Sequence, residues 1–78
     1  MTERCTLCGL EPNECACITD VTASGGMRRR LLDLGIAAGT RAECVSRGLF
    51  GDPTAYLIRG TLIALRHEEA ELIKAVRL

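Results

Sequence analysis

The sequence is poor in aromatic residues and almost without histidine. Of its 78 residues only Phe50 and Tyr56 are aromatic, there is no tryptophan, and His67 is the sole histidine. Two aromatic rings leave little to stack on nucleotide bases. The single histidine has no Ser, Cys or Asp at a spacing typical of a catalytic dyad or triad, so no set of catalytic residues can be assembled. We therefore expect neither an enzyme nor a nucleic-acid-binding protein.

Charge of one sign and long apolar runs are also missing. Ten Lys and Arg balance ten Asp and Glu, so no net field draws the chain toward nucleic acid or an anionic membrane. No stretch approaches the roughly 20 apolar residues that cross a bilayer, the N-terminus lacks the apolar core of a signal peptide, and no G-x4-G-K-[ST] segment is present. These absences predict a soluble, cytoplasmic chain without membrane insertion and without a P-loop.

Cysteine, by contrast, is abundant at one end. Four of the five cysteines lie in residues 1–17, a segment without apolar periodicity that is typical of a loop or knuckle, and they are Cys5, Cys8, Cys15 and Cys17. Four thiolates are the ligand set of a tetrahedral zinc site, and iron–sulfur clusters take the same number at other spacings. We favour binding of Zn(II) or Fe here. A redox or sensing thiol set and an unliganded tail are the alternatives.

Residues 18–78 predict one compact, mainly β domain. The two-residue gap at Arg59-Gly60 favours a tight hairpin, and the helical stripe of Met27, Leu31 and Leu34 ends at Gly35. Strands are expected over 18–21, 40–47, 54–58, 61–66 and 74–78, and short helices over 27–34 and 67–73. About five strands and two helices in so few residues predict a small closed β-barrel.

The last expected strand and two single residues complete the core prediction. Val76 and Leu78 are expected to share one face and to pair back near Ile18 and Val21. Cys44 lies on the inward face of an expected strand and is interpreted as a core residue. His67 is interpreted as solvated, and a metal site with Glu68 or Glu71 and a bridge between two subunits are the alternatives.

The first expected helix also carries a candidate partner surface. Arg28, Arg29 and Arg30 precede Leu31 and Leu32, and a narrow stripe cannot bury both consecutive leucines. One leucine is therefore expected to be exposed and available to a partner. The arginines suit an acidic or phosphate-bearing surface, and a solvated helix face is the alternative.

The order RRRLLDLGIAAGT, then GDP, then LIALRHEEAELI resembles the ferrous iron transport protein A (FeoA) family over residues 18–78. The resemblance implies an SH3-like barrel and a non-enzymatic cytosolic accessory to FeoB, the membrane Fe(II) transporter with a GTPase domain. The expected contact surface combines residues 28–32 with Phe50, Gly51, Asp52 and Pro53. Residues 1–17 lie outside the resembling pattern and are expected to precede the domain.

A second function stays open at this point. The same barrel occurs as the C-terminal domain of iron-dependent repressors, and no helix-turn-helix segment stands ahead of it here. The alternative is therefore a metal-responsive sensor or regulatory module that uses the N-terminal cysteines and lacks the DNA-reading part.

Overall fold

A computed structural model describes residues 3–48, 50 and 52–78. These residues contain six strands and two α-helices. Gly51 of the expected contact loop lies outside these residues, as do Met1, Thr2 and Leu49. The strands are β1 Glu3–Thr6, β2 Cys15–Val21, β3 Arg41–Arg47, β4 Thr54–Ile58, β5 Thr61–Leu65 and β6 Ile73–Arg77. The helices are α1 Gly25–Asp33 and α2 His67–Ala70, with a 3₁₀ turn at Leu7–Gly9.

The strands form one antiparallel sheet in the order β1-β6-β2-β3-β4-β5. The mainly β class with two short helices is confirmed. β6 pairs with β2 as expected, with Ile18 opposite Ala75 and Val21 opposite Ile73. The expected closure is wrong, because β1 pairs with the other side of β6 and the hydrogen-bonded order ends at β1 and β5.

The cysteine-rich segment is built into the domain rather than placed before it. Its strand β1 pairs with β6, and Leu7 and Leu10 are completely buried. The predicted boundary between residues 17 and 18 falls inside β2. The segment was expected to be irregular because its few apolar residues follow no period; their burial is decided by contacts with distant strands.

Two arginines from distant strands hold this segment in place. The Arg77 Nε lies 2.6 Å from a carboxylate oxygen of Glu3, and its Nη1 pairs with Glu14. The Arg47 Nη2 donates to the Leu10 carbonyl at 2.8 Å. Residues 3–14 are thus tied to both β6 and β3 by charge-assisted hydrogen bonds.

The core lies on one face of the sheet and under α1. Cys44 is completely buried, which confirms its interpretation as a core residue. The buried Tyr56 hydroxyl donates to the Leu7 carbonyl at 2.9 Å, so the phenol finds the partner that a buried hydroxyl needs. The largest fully buried side chains are those of Tyr56, Leu7, Leu10, Ile18, Leu31, Ile36, Ile58, Leu65, Ile73 and Cys44.

Helix α1 ends where the sequence predicts. Gly35 has φ +93°, and its N–H donates to the Leu32 carbonyl at 2.9 Å. The Ile36 N–H donates to the Leu31 carbonyl at 3.0 Å, which completes a Schellman motif. The side chains of Leu31 and Ile36 are both buried. Leu34, expected in the buried stripe, is exposed, and Ile36 takes its place in the core. No helix in the described ranges is long and apolar enough to cross a membrane.

The hairpin between β4 and β5 is also confirmed. Arg59 and Gly60 have φ values of +53° and +78°, and Ile58 pairs with Thr61 across them. Two successive positive φ values are those of the type I′ turn, whose twist matches that of the strands.

The inward face of β6 differs from the expectation. Ile73 and Ala75 are buried, whereas Val76 is half-buried and Leu78 is 69% exposed beyond the end of the strand. Alternation along a strand places only one parity on the core side. The strand starts one residue earlier than predicted. Its buried face consists of Ile73 and Ala75, whereas Val76 and Leu78 were expected to share one face.

Candidate functional site: the divided cysteines and the exposed face of α1

The four N-terminal cysteines are divided between the two faces of the sheet. Cys5 pairs with Ala75, which pairs in turn with Ile18. Residues directly opposite one another on neighbouring strands share a face, and Ala75 and Ile18 are buried. Cys5 therefore faces the core, and Cys8 also packs against it.

Cys15 and Cys17 occupy the other face. They alternate along β2 with the buried Ala16 and Ile18, and both are only partly buried. Cys17 lies opposite Arg41 on β3, whose side chain is exposed. The backbone of β2 thus separates this outer pair, Cys15 and Cys17, from Cys5.

Four thiolates on two faces of a sheet do not converge on one ion. In residues 3–48, 50 and 52–78, no group of three or more His, Cys, Asp or Glu side chains is placed to hold a metal ion. The residues present do not fit the tetrahedral zinc or iron site that their spacing predicts. The physical reason is that side chains alternate between the two faces of β2. The spacing of the cysteines along the chain does not show which face each of them takes.

The inner thiols are held in apolar surroundings. Burial raises the pKa of Cys5 and the pKa of Cys44, which favours their neutral form. The Cys8 sulfur lies 3.0 Å from the Thr6 hydroxyl oxygen. Burial also raises the pKa of Tyr56 well above its usual range. These groups behave as core residues with weak polar contacts.

The outer pair stands among charged side chains. The Arg41 Nη2 donates to the Cys15 sulfur at 3.3 Å, and this contact raises the pKa of Arg41. Glu43 lies directly opposite Cys15. The sequence places Arg41 and Glu43 on the outer face of their strand, but only the pairing register shows that they stand opposite the cysteines.

The exposed face of α1 carries the second candidate site. Leu31 is completely buried, whereas Leu32 is 40% exposed, so the expectation that one of the two leucines is exposed is confirmed. Leu32 lines an open depression together with Gly25, Arg28, Arg29 and Asp33. This depression and its rim are called the α1 surface below.

The three arginines of α1 have different partners. The Arg28 Nη1 donates to the Val21 carbonyl, and Arg30 forms an ion pair with Glu69 of α2. Arg29 makes no hydrogen bond or ion pair within the described part of the chain. Of the three predicted contact arginines, Arg29 is therefore the one whose guanidinium is available to a partner.

Helix α2 connects the α1 surface to the expected contact loop. Beyond its ion pair with α1, it donates the His67 N–H to the Asp52 carboxylate at 2.9 Å. Phe50 is fully exposed, and Asp52 and Pro53 are exposed as well. The loop is braced by the Gly48 N–H, which donates to the Pro53 carbonyl at 2.8 Å.

His67 itself is an exposed residue. Its Nε2 lies 4.0 Å from a carboxylate oxygen of Glu71, and both side chains are 63% exposed. A pair this open to water contributes little, which favours the solvated interpretation over a metal site.

Comparison with known proteins gives the family and the fold. The model of the FeoA domain family matches residues 5–77. The match includes most of the cysteine-rich segment, which corrects the expectation that residues 1–17 lie outside the family's pattern. No curated protein sequence matches the chain.

Solved structures agree with the family match. The FeoA protein from Chlorobium tepidum is 34% identical, with a TM-score of 0.85 over 95% of this chain and 70% of that one. The Stenotrophomonas maltophilia FeoA, an SH3 domain protein complexed with zinc, is 29% identical, with a TM-score of 0.77 over 91% and 88% of the two chains. The SH3-like fold is thereby confirmed.

A transcriptional repressor shares the fold alone. The manganese-dependent repressor is 19% identical, with a TM-score of 0.87 over the whole of this chain and 44% of its own length. The two proteins therefore share one domain architecture, while more than half of the repressor has no counterpart here.

Proposed function

The chain belongs to the FeoA family, and on that premise we propose that it is a cytosolic accessory protein that binds the cytosolic part of the FeoB Fe(II) transporter. Membership supports a role in ferrous iron transport, and the FeoA domain is not a known enzyme family. The Stenotrophomonas maltophilia protein is described as a candidate activating factor of ferrous iron transport. Regulation through binding is the corresponding proposal for this chain.

The observation that carries the proposal is the exposed Leu32 beside the unengaged Arg29. Leu31 packs α1 against the core, and Leu32, about 100° further round the helix, is 40% exposed. A rigid apolar side chain next to a guanidinium is the composition of many interface centres. The α1 surface therefore offers an apolar contact together with a positive charge for an acidic partner.

Phe50 belongs to the loop that α2 contacts through the hydrogen bond from the His67 N–H to Asp52. It is the only phenylalanine of the chain and is fully exposed. Large aromatic side chains contribute disproportionately to binding energy when an interface covers them. We assign Phe50, Asp52 and Pro53 to the rim of the contact and Leu32 to its centre.

The test is the affinity for the isolated cytosolic domain of the transporter, measured by calorimetry with and without guanine nucleotide. Leu32→Asp is expected to weaken binding by at least about tenfold, or roughly 1.4 kcal/mol, because it places an unpaired charge in the contact. Arg29→Glu is expected to weaken binding in a salt-dependent manner.

Leu62→Asp is the matched control. Leu62 is 61% exposed on β5 and does not line the depression of the α1 surface, so its substitution is expected to leave the affinity unchanged. Equal losses in Leu32→Asp and Leu62→Asp would move the interface elsewhere. Absence of binding by the unaltered protein in every nucleotide state would overturn the proposal.

A metal-responsive role is the second candidate function, supported by the zinc complex of the Stenotrophomonas maltophilia protein and by the repressor-like fold. The division of the cysteines argues against a shared site for all four. The outer pair, Cys15 and Cys17, is the one that lies among charged side chains, and it is the better candidate for a metal-dependent function.

A further inference from the structure

The outer pair presents two sulfurs to solvent from one rigid strand. Cys15 and Cys17 are two residues apart on β2, so their Cα atoms are separated by roughly 6.6 Å at about 3.3 Å per residue. Both side chains project from the same face, and Ala16 between them projects into the core. The Cys17 sulfur lies 3.9 Å from the Ile18 carbonyl oxygen and the Cys15 sulfur 3.3 Å from the Arg41 Nη2. Binding of a common ion above the strand therefore requires the two side chains to change rotamer about χ1.

The number of ligands limits which ion fits. Tetrahedral zinc needs four donors, or three and water. Glu43 lies opposite Cys15, but in the described residues no three His, Cys, Asp or Glu side chains are grouped so as to hold one ion. Thiolates are soft ligands that favour Cu(I), and a d¹⁰ monovalent ion is satisfied by two of them. The pair by itself therefore suits a monovalent soft ion better than a divalent one.

Charged side chains of both signs stand beside the pair. The Arg41 Nη2 donates to the Cys15 sulfur at 3.3 Å, and Glu43 lies directly opposite Cys15. Two thiolates and one monovalent cation leave a net charge of −1, and the Arg41 guanidinium in contact with the sulfur offsets that charge.

We propose that Cys15 and Cys17 form a two-coordinate site for a monovalent thiophilic metal ion of the Cu(I) class, on the outer face of β2 beside Arg41. On binding, each thiol releases one proton to solvent and forms one sulfur–metal bond, with no change in oxidation state. This site is independent of the transporter contact, since β2 and the α1 surface use different residues.

The experiment is a titration of the full chain with Cu(I) under anaerobic conditions, against a competing chromophoric chelator. One ion per chain is expected, with the protein still monomeric by native mass spectrometry. Cys15→Ser and Cys17→Ser are each expected to lose at least about 100-fold in affinity, because one thiolate alone cannot hold the ion. Alkylation with peptide mapping should show these two sulfurs protected by the metal.

Matched substitutions test the division of the faces. Cys5→Ser and Cys8→Ser are expected to retain the Cu(I) affinity, since both residues lie on the core side. Arg41→Leu is expected to weaken binding by about tenfold, with rescue in Arg41→Lys, as losses around a metal's ligands typically run 10–100-fold. Unfolding curves of each variant separate loss of the site from loss of the fold.

Three results would overturn the proposal. Loss of Cu(I) in Cys5→Ser with its fold intact would restore the four-cysteine site. Zinc bound at one ion per two chains, with dimer formation, would show a shared tetrahedral site between copies. Affinity no greater than that of a free monothiol would show that the pair does not act together.

Discussion

On the inner face of the sheet Cys5 and Cys44 pack among apolar side chains, and burial raises the pKa of both thiols. On the outer face Cys15 accepts a hydrogen bond from Arg41, and Cys17 pairs with the same residue across the strands. The difference depends on the parity of strand positions, because a shift of one residue in register would exchange the two environments. One residue type thus serves packing on one face and is open to chemistry on the other.

The largest expected contrast is between a buried and an exposed leucine. Leu7→Ala should lower the free energy of unfolding by about 3 kcal/mol, because it leaves a cavity where a completely buried side chain was. Leu62→Ala, on the outer face and 61% exposed, should change it by less than about 0.5 kcal/mol. Guanidinium unfolding measures both. Similar values would show that residues 3–14 do not contribute to the core in solution.

The next contrast is between cysteines. Cys44→Ser should cost about 2 kcal/mol, because a hydroxyl replaces a thiol at a completely buried position. Cys17→Ser should cost less than about 0.5 kcal/mol, since its side chain is partly open to water. The comparison uses the same substitution in neighbouring strands, and a larger loss in Cys17→Ser would contradict the assignment of faces.

Removing the Tyr56 hydroxyl should have a smaller effect. Tyr56→Phe deletes the 2.9 Å hydrogen bond to the Leu7 carbonyl and leaves that buried oxygen without its partner, at a cost of about 1 kcal/mol. Thermal unfolding with an unchanged far-UV spectrum would isolate the bond. An unchanged stability would mean that water replaces the phenol beside the 3₁₀ turn.

The smallest expected effect is a pH dependence that belongs to the inner face. Thiols of the unfolded chain ionise near their ordinary pKa of 9.0, whereas burial raises the pKa of Cys44 in the folded protein. Above about pH 9.0 the unfolded state therefore binds fewer protons than the folded one, and the free energy of unfolding falls as the pH rises. Tyr56, whose pKa burial also raises, adds to the decline above its ordinary value of 10.0.

One variant tests the contribution of Cys44 to this pH dependence. Cys44→Ala should reduce the slope of stability against pH, because it removes the thiol whose pKa burial raises. Denaturation midpoints between pH 8 and 10 give the slopes of the variant and of the unaltered protein. An equal slope in the two proteins would contradict the role of this thiol.

Local signals in the sequence were sufficient for several elements. The Arg59-Gly60 turn fixes the β4–β5 hairpin because two successive positive φ values are needed there, and Gly35 ends α1 for the same kind of reason. Alternation around Ala42 and Cys44 identified the inward face of β3. The adjacent leucines of α1 predicted one exposed apolar side chain, although not which of them it would be.

Other features depended on contacts between distant residues. β1 is short and carries no apolar alternation, so its pairing with β6 left no local pattern in residues 3–6. Arg77 and Arg47 looked like ordinary strand charges, yet they bind the segment around Leu10 and Glu14. The sheet does not close because β1 pairs with the side of β6 that β2 leaves free. A domain predicted to begin at residue 18 does not include this strand.

By itself, the sequence determined the mainly β class, the turns and helix end that glycine permits, and the presence of four cysteines near one terminus. Only the tertiary structure decided that those cysteines point to opposite faces and that Arg41 stands beside one pair of them. The physical reason is that spacing along a chain limits which side chains can meet. Strand register and the burial of the opposite face determine which of them do.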